Sequence, residues 1–157
     1  MIGFFKKTPL FRQINPIECG AVCLRIILAF YGIKKSQREL NERVGIASEG
    51  SDAQSLIKAA QSLGIVAHAQ RRRAFELEAS HKTPSIVFFD GCHFVVLEGY
   101  RFKKFFINDP AKGRYQLSKT EFHRRFSGIQ ITFDVPAKVS PSLAITVVDA
   151  VLSITAG

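Results

Sequence analysis

Apolar positions recur at helical spacing from Cys19 to about Tyr31, where Val22, Ile26, Ile27 and Phe30 share a face and Gly32 is a natural stop. Pro16 is expected to keep Ile17 out of this helix, and Glu18 sets a negative charge just ahead of it. Ser36-Gln37-Arg38-Glu39 reads as a capping box opening a second helix that ends near Val44-Gly45. Ser51-Asp52-Ala53-Gln54 reads as another, opening a third helix with Leu56, Ile57, Ala60 and Leu63 on one side and Gly64 as its cap.

The pattern then changes to short β-branched and aromatic runs. Ile65 to Ala69, Ser85 to Phe89, Cys92 to Tyr100, Phe105 to Asn108, Tyr115 to Leu117 and Ile129 to Phe133 read as strands. Phe75 to Ala79 predicts a brief helical turn, Pro84 a break and Asp90-Gly91 a hairpin. Ser118-Lys119-Thr120-Glu121 opens a last short helix through Phe126. Helices first and an antiparallel sheet afterwards make an α+β domain over residues 1–136. Residues 137–157 form a separate apolar tail interrupted by Asp149. That is short of the roughly 20 apolar residues a membrane span needs, so the tail reads as an amphipathic helix or a connector.

A chain of 157 residues is long enough for one domain with a proper core. Three irregularly spaced cysteines do not suggest a disulfide framework, and no secretory signal opens the chain. The net charge of +9 calls for an acidic partner or surface. Nucleic acid is one such partner, but the basic residues are scattered apart from Arg71-Arg72-Arg73 and His123-Arg124-Arg125, and no nucleic-acid motif accompanies them.

Candidate chemistry centres on Cys19, predicted at the first turn of a buried helix, where unpaired N–H groups and the helix dipole favour a thiolate. His93 in Gly91-Cys92-His93-Phe94 supplies a base, and Asp109 in Asn108-Asp109-Pro110 an orienting carboxylate. Cysteine, then histidine, then aspartate is the chain order of papain-like peptidases. Gln13 stands where such enzymes place an amide donor for an oxyanion. Taken alone, Cys19 reads first as a buried core residue and Asp109 first as turn chemistry; it is their occurrence together with His93 that points to catalysis. Cys19, Cys23, Cys92 and His93 also raise a zinc site. Neighbours on a strand point to opposite faces, however, so Cys92 and His93 are not expected to share one ion, and no metal or cofactor is expected. His68, His81 and His123 have no companion that singles them out, and Glu98 is expected to point away from the site.

Gln13, Glu18-Cys19-Gly20, Phe30-Tyr31-Gly32, His93-Phe94-Val95-Val96-Leu97 and Asn108-Asp109-Pro110 together resemble the peptidase domain of bacteriocin- and lanthipeptide-exporting ABC transporters, across about residues 8–135. Glu18 departs from that pattern, since many members carry Asp there. The resemblance implies a papain-like cysteine peptidase that cleaves after a Gly-Gly or Gly-Ala junction to remove a leader peptide. It implies Cys19 as nucleophile, His93 as base, Asp109 as its orienter and Gln13 at the oxyanion. The implied partners are a precursor with an amphipathic, acidic leader helix and the membrane and ATPase parts of a transporter, on the cytoplasmic side of the bacterial inner membrane. Leu40, Val44, Ile46, Leu56 and Ala60 are candidates for an apolar leader groove. A non-catalytic domain that only docks the leader is the alternative.

Overall fold

The computed structural model describes residues 6–46, 50–80 and 82–136. The expectations for the tail 137–157 and for His81 lie outside them.

Three helices come first: α1 (Cys19–Phe30), α2 (Gln37–Val44) and α3 (Ala53–Ser62). Pro16 does not exclude Ile17 from helical structure. Pro16–Glu18 form a 3-10 turn that leads directly into α1, and it is Asn15 that is extended (φ −114°, ψ 142°), because proline restricts the residue before it. Ser36 caps α2 by accepting from the Glu39 N–H, as its sequence predicts. In α3 the cap is Asp52 and not Ser51: Asp52 Oδ1 accepts from the Ser55 N–H at 2.7 Å. Helix α1 is buried almost all round, which suits a helix with so few polar positions. At Gly20 any Cβ would run into Ser51 Oγ and stand 3.1 Å from Leu56 Cδ2, so glycine lets α1 and α3 approach.

Six strands follow: β1 (Val66–Arg71), β2 (Ser85–Phe89), β3 (His93–Arg101), β4 (Lys104–Asp109), β5 (Gly113–Ser118) and, after helix α4 (Lys119–Arg125), β6 (Phe126–Asp134). They form one antiparallel sheet in the order β1-β6-β2-β3-β4-β5. The last strand thus lies between the first two. Alternation along the strands divides the apolar residues between two cores. Ile86, Phe94, Val96, Ile131 and Phe133 pack against α1–α3, while Val87, Phe89, Val95, Leu97, Phe105 and Ile107 pack on the other side with Leu77 and Phe122.

Strand β3 starts at His93, one residue later than the sequence suggests. Asp90 (φ 55°) and Gly91 (φ 68°) both turn left-handed, and the Cys92 N–H closes the loop onto the Phe89 carbonyl at 3.0 Å. Cys92 is therefore an exposed turn residue, while Cys23 is fully buried on α1, one turn on from Cys19.

Candidate active site

Cys19 is the first residue of α1 and only 6% exposed. Its thiol is hydrogen-bonded to the His93 imidazole and lies against the backbone N–H groups of Phe94 and Gly20. His93 opens β3, and the pairing of Val96 with Asn108 brings the end of β4 to its level. There His93 Nε2 stands 2.8 Å from Asp109 Oδ1. Since Nε2 faces the carboxylate, Nδ1 is the ring nitrogen left for the thiol. Asp109 is fully buried, and three donors meet its two oxygens: His93 and the Ala111 N–H (2.8 Å) at Oδ1, and the Tyr115 hydroxyl (2.8 Å) at Oδ2.

Burial disfavours every charge in this line, yet the partners outweigh it. For Cys19, burial raises the pKa, but the bonds from His93 and the Phe94 N–H bring it below the ordinary thiol value. For His93, burial opposes the imidazolium, and the bonds to Asp109 and Cys19 reverse this and raise its pKa to about 9. Asp109 is likewise held below the usual carboxylate range against its burial, by His93, Ala111 and Tyr115. A thiolate–imidazolium pair is the arrangement these shifts favour at neutral pH.

The backbone N–H of Gln13 donates to the Pro110 carbonyl at 2.9 Å, which holds Gln13 at the Asp109 end of the sheet. Its side-chain Oε1 is buried without a hydrogen-bond partner among the described residues. The segment leading to Gln13 is pinned by a buried polar cluster. Glu98 Oε2 accepts from the Thr8 N–H and hydroxyl, Arg114 Nε reaches Glu98 Oε1 at 3.2 Å, and Asn108 Nδ2 donates to Thr8 Oγ1 and to the Pro9 carbonyl. Glu98 is turned to this clamp and is 1% exposed.

The proposed leader-groove residues do not share a surface, which corrects that expectation. Leu40, Val44, Leu56 and Ala60 are buried in the helical core, because the apolar sides of α2 and α3 turn inward against α1. Only Ile46 reaches an open groove, which runs between the Ile14–Glu18 stretch and α2 and is lined also by Ile14, Ile17, Arg38, Asn41 and Glu42. Across its floor Asn41 Nδ2 donates to Glu18 Oε1 at 3.0 Å. Sequence reasoning missed Tyr115, Arg125, Thr8 and Asn108. Asn108 stands in Asn108-Asp109-Pro110 without a role of its own there, Thr8 and Tyr115 stand in no motif, and Arg125 is legible in the sequence only as part of a basic run.

Residues 7–138 match the model of the Peptidase C39 family. The chain is 29% identical over 126 residues to the colicin V secretion/processing ATP-binding protein of Escherichia coli, covering 80% of this chain and 18% of that protein. It is 30% identical over 145 residues to the lactococcin-A transport/processing ATP-binding protein of Lactococcus lactis subsp. lactis, covering 88% of this chain and 20% of that protein. The chain thus spans about a fifth of these relatives. Among solved structures it is similar to a double glycine motif protease from an AMS/PCAT transporter in complex with the leader peptide. That match has TM-score 0.80 and 33% identity, and it covers 85% of this chain and 97% of the other.

Proposed function

The chain belongs to the peptidase C39 family, a papain-like cysteine peptidase fold, and from that premise we propose that it removes leader peptides by cutting after a Gly-Gly or Gly-Ala junction. The single observation that carries this is the line that runs from Cys19, at the start of α1, through His93 to Asp109.

In this reading Cys19 Sγ attacks the carbonyl carbon of the second small residue of the junction. The developing oxyanion takes hydrogen bonds from the Gln13 side-chain amide and the Cys19 backbone N–H. His93 gives its Nδ1 proton to the leaving amine as the C–N bond breaks, which leaves a thioester on Cys19. Water then enters, loses a proton to His93, and its oxygen displaces the thiolate to release the leader as a carboxylic acid. Asp109 holds the ring and stabilises imidazolium throughout.

The leader lies in the groove beside α2, with apolar contacts to Ile14, Ile17 and Ile46. The groove carries Glu18, Glu42 and Arg38 together, and Arg38 pairs with Glu42 at 3.3 Å, so its charge is mixed. Of the basic clusters, Arg72 is engaged with Glu76 and Arg125 with Asp90. Attraction of an acidic leader is therefore a matter of the whole domain's field and acts on association rate more than on affinity.

The relatives are secretion and transport proteins, and we place this chain's peptidase unit, residues 1–136, beside the membrane and ATPase parts of an exporter, facing the cytoplasm. Residues 137–157 would be its connector. Among the described residues no helix is long and apolar enough to cross a membrane.

Cleavage of a synthetic leader–core peptide with a Gly-Gly junction tests this. Mass spectrometry should find the cut after the second Gly with the native chain and none with Cys19→Ala. Binding of the leader by both chains without any cut would instead make this a docking domain.

A further inference from the structure

The two oxygens of the Asp109 carboxylate are held from opposite sides. Oδ1 accepts from His93 and the Ala111 N–H, and Oδ2 accepts from the Tyr115 hydroxyl at 2.8 Å. Behind Tyr115 stands Arg125, whose Nη1 lies 3.4 Å from the same hydroxyl oxygen. Arg125 is anchored in turn by Asp90 Oδ2, at 3.2 Å from Nε and 3.0 Å from Nη2, and its guanidinium stands 4.9 Å over the Phe89 ring.

The direction of this chain is forced. Arginine only donates and a carboxylate only accepts, so the Tyr115 oxygen accepts from Arg125 and its proton is committed to Asp109. Burial and the nearby Asp109 charge push the Tyr115 pKa up, so the hydroxyl remains a donor at any working pH. The chain also closes on itself. Asp90 lies in the turn that leads into His93, and its N–H donates to the Arg125 carbonyl at 2.8 Å. Both partners of the His93–Asp109 contact are thereby tied to one arginine.

We propose that Tyr115 is a positioning residue of this peptidase, which, backed by Arg125 and Asp90, fixes the Asp109 carboxylate in the plane that faces His93. The terminal torsion of an aspartate is broad, so a carboxylate gripped at one oxygen rotates more freely than one gripped at both. A phenylalanine would fill the same space against the second core, which the Tyr115 ring borders, so packing gives no reason for the hydroxyl. The inference rests on Cys19, His93 and Asp109 being the working line. The ionisable groups facing His93 are Cys19 from α1 and Asp109 from β4; those facing Asp109 are His93, Tyr115 and the buried thiol of Cys23.

The test is Tyr115→Phe, measured on a synthetic Gly-Gly junction peptide and by NMR titration of the His93 ring. The variant should fold, lose about tenfold in kcat and keep KM within about twofold. The alkaline limb of its pH profile and the His93 titration should both move to lower pH, because a freed carboxylate supports the imidazolium less well. Arg125→Met should act in the same direction and more weakly, and adding it to Tyr115→Phe should cost nothing further. An unchanged kcat and His93 titration would overturn the proposal, as would a rise in KM alone or a titration moving to higher pH. If the native chain does not cut the peptide, the leader-peptidase reading fails on its own, and the His93 titration in the two variants still decides the role of Tyr115.

Discussion

The Gln13 backbone N–H and the Pro110 carbonyl meet at 2.9 Å, so the residue that follows Asp109 also sets the position of the proposed oxyanion donor. The two ends of the proposed reaction, the carboxylate behind the imidazole and the amide assigned to the oxyanion, share one anchor just past β4. Gln13→Ala is expected to lower kcat by about 10²–10³ with little change in KM, since the lost bond forms only as charge develops. Steady-state cleavage of the Gly-Gly peptide measures both. An equal loss appearing in KM would place Gln13 in substrate binding.

Glu98 holds the chain on the way to Gln13. Glu98→Ala leaves the Thr8 donors without their acceptor and the Arg114 guanidinium without its buried partner. Arg114 is partly exposed and regains water, so the cost expected in stability is about 1–3 kcal/mol, from the buried Thr8 donors left unsatisfied. Denaturant unfolding would show it as a lower midpoint with an unchanged slope.

The pH dependence of cleavage follows from His93. Its pKa is raised to about 9, so the imidazolium proposed to protonate the leaving amine persists through neutral pH and is lost as pH rises through that value. Activity should therefore fall on the alkaline side near pH 9. In Asp109→Asn the ring loses its carboxylate, the His93 pKa drops, and the alkaline limb should move to lower pH along with a fall in kcat. A limb that stays in place would separate it from His93.

Thiol reactivity reads the other member of the pair. His93 is the strongest of the groups that lower the Cys19 pKa, while burial raises it. Removing it in His93→Ala should raise that pKa. Alkylation of Cys19 near pH 7 by iodoacetamide should then slow by about tenfold for each unit gained. Exposed Cys92 reacts in both proteins, so peptide mapping must assign the label.

Much of this molecule is legible along the chain. Helical spacing marks α1 and places Cys19 at its first turn, caps mark α2 and α4, and alternating apolar residues mark the strands, because each signal lies within a few neighbouring residues. The order of Cys19, His93 and Asp109 needs no coordinates to be noticed. Smaller errors were local as well: the α3 cap slipped from Ser51 to Asp52, and the β3 start slipped from Cys92 to His93 where two left-handed residues lengthen the turn.

Other features were decided only by tertiary structure. Which side of α2 and α3 turns inward set whether Leu40, Val44, Leu56 and Ala60 line a groove or fill a core, and helical periodicity gives an apolar face without saying what covers it. The burial of Glu98, the grip of Tyr115 on Asp109 and the arm of Arg125 behind it all join residues from different strands and from α4. These contacts depend on the register and order of an antiparallel sheet whose last strand lies between its first two. Pairings of that kind are long-range. No spacing within one segment encodes them, and they exist only once the whole sheet has closed.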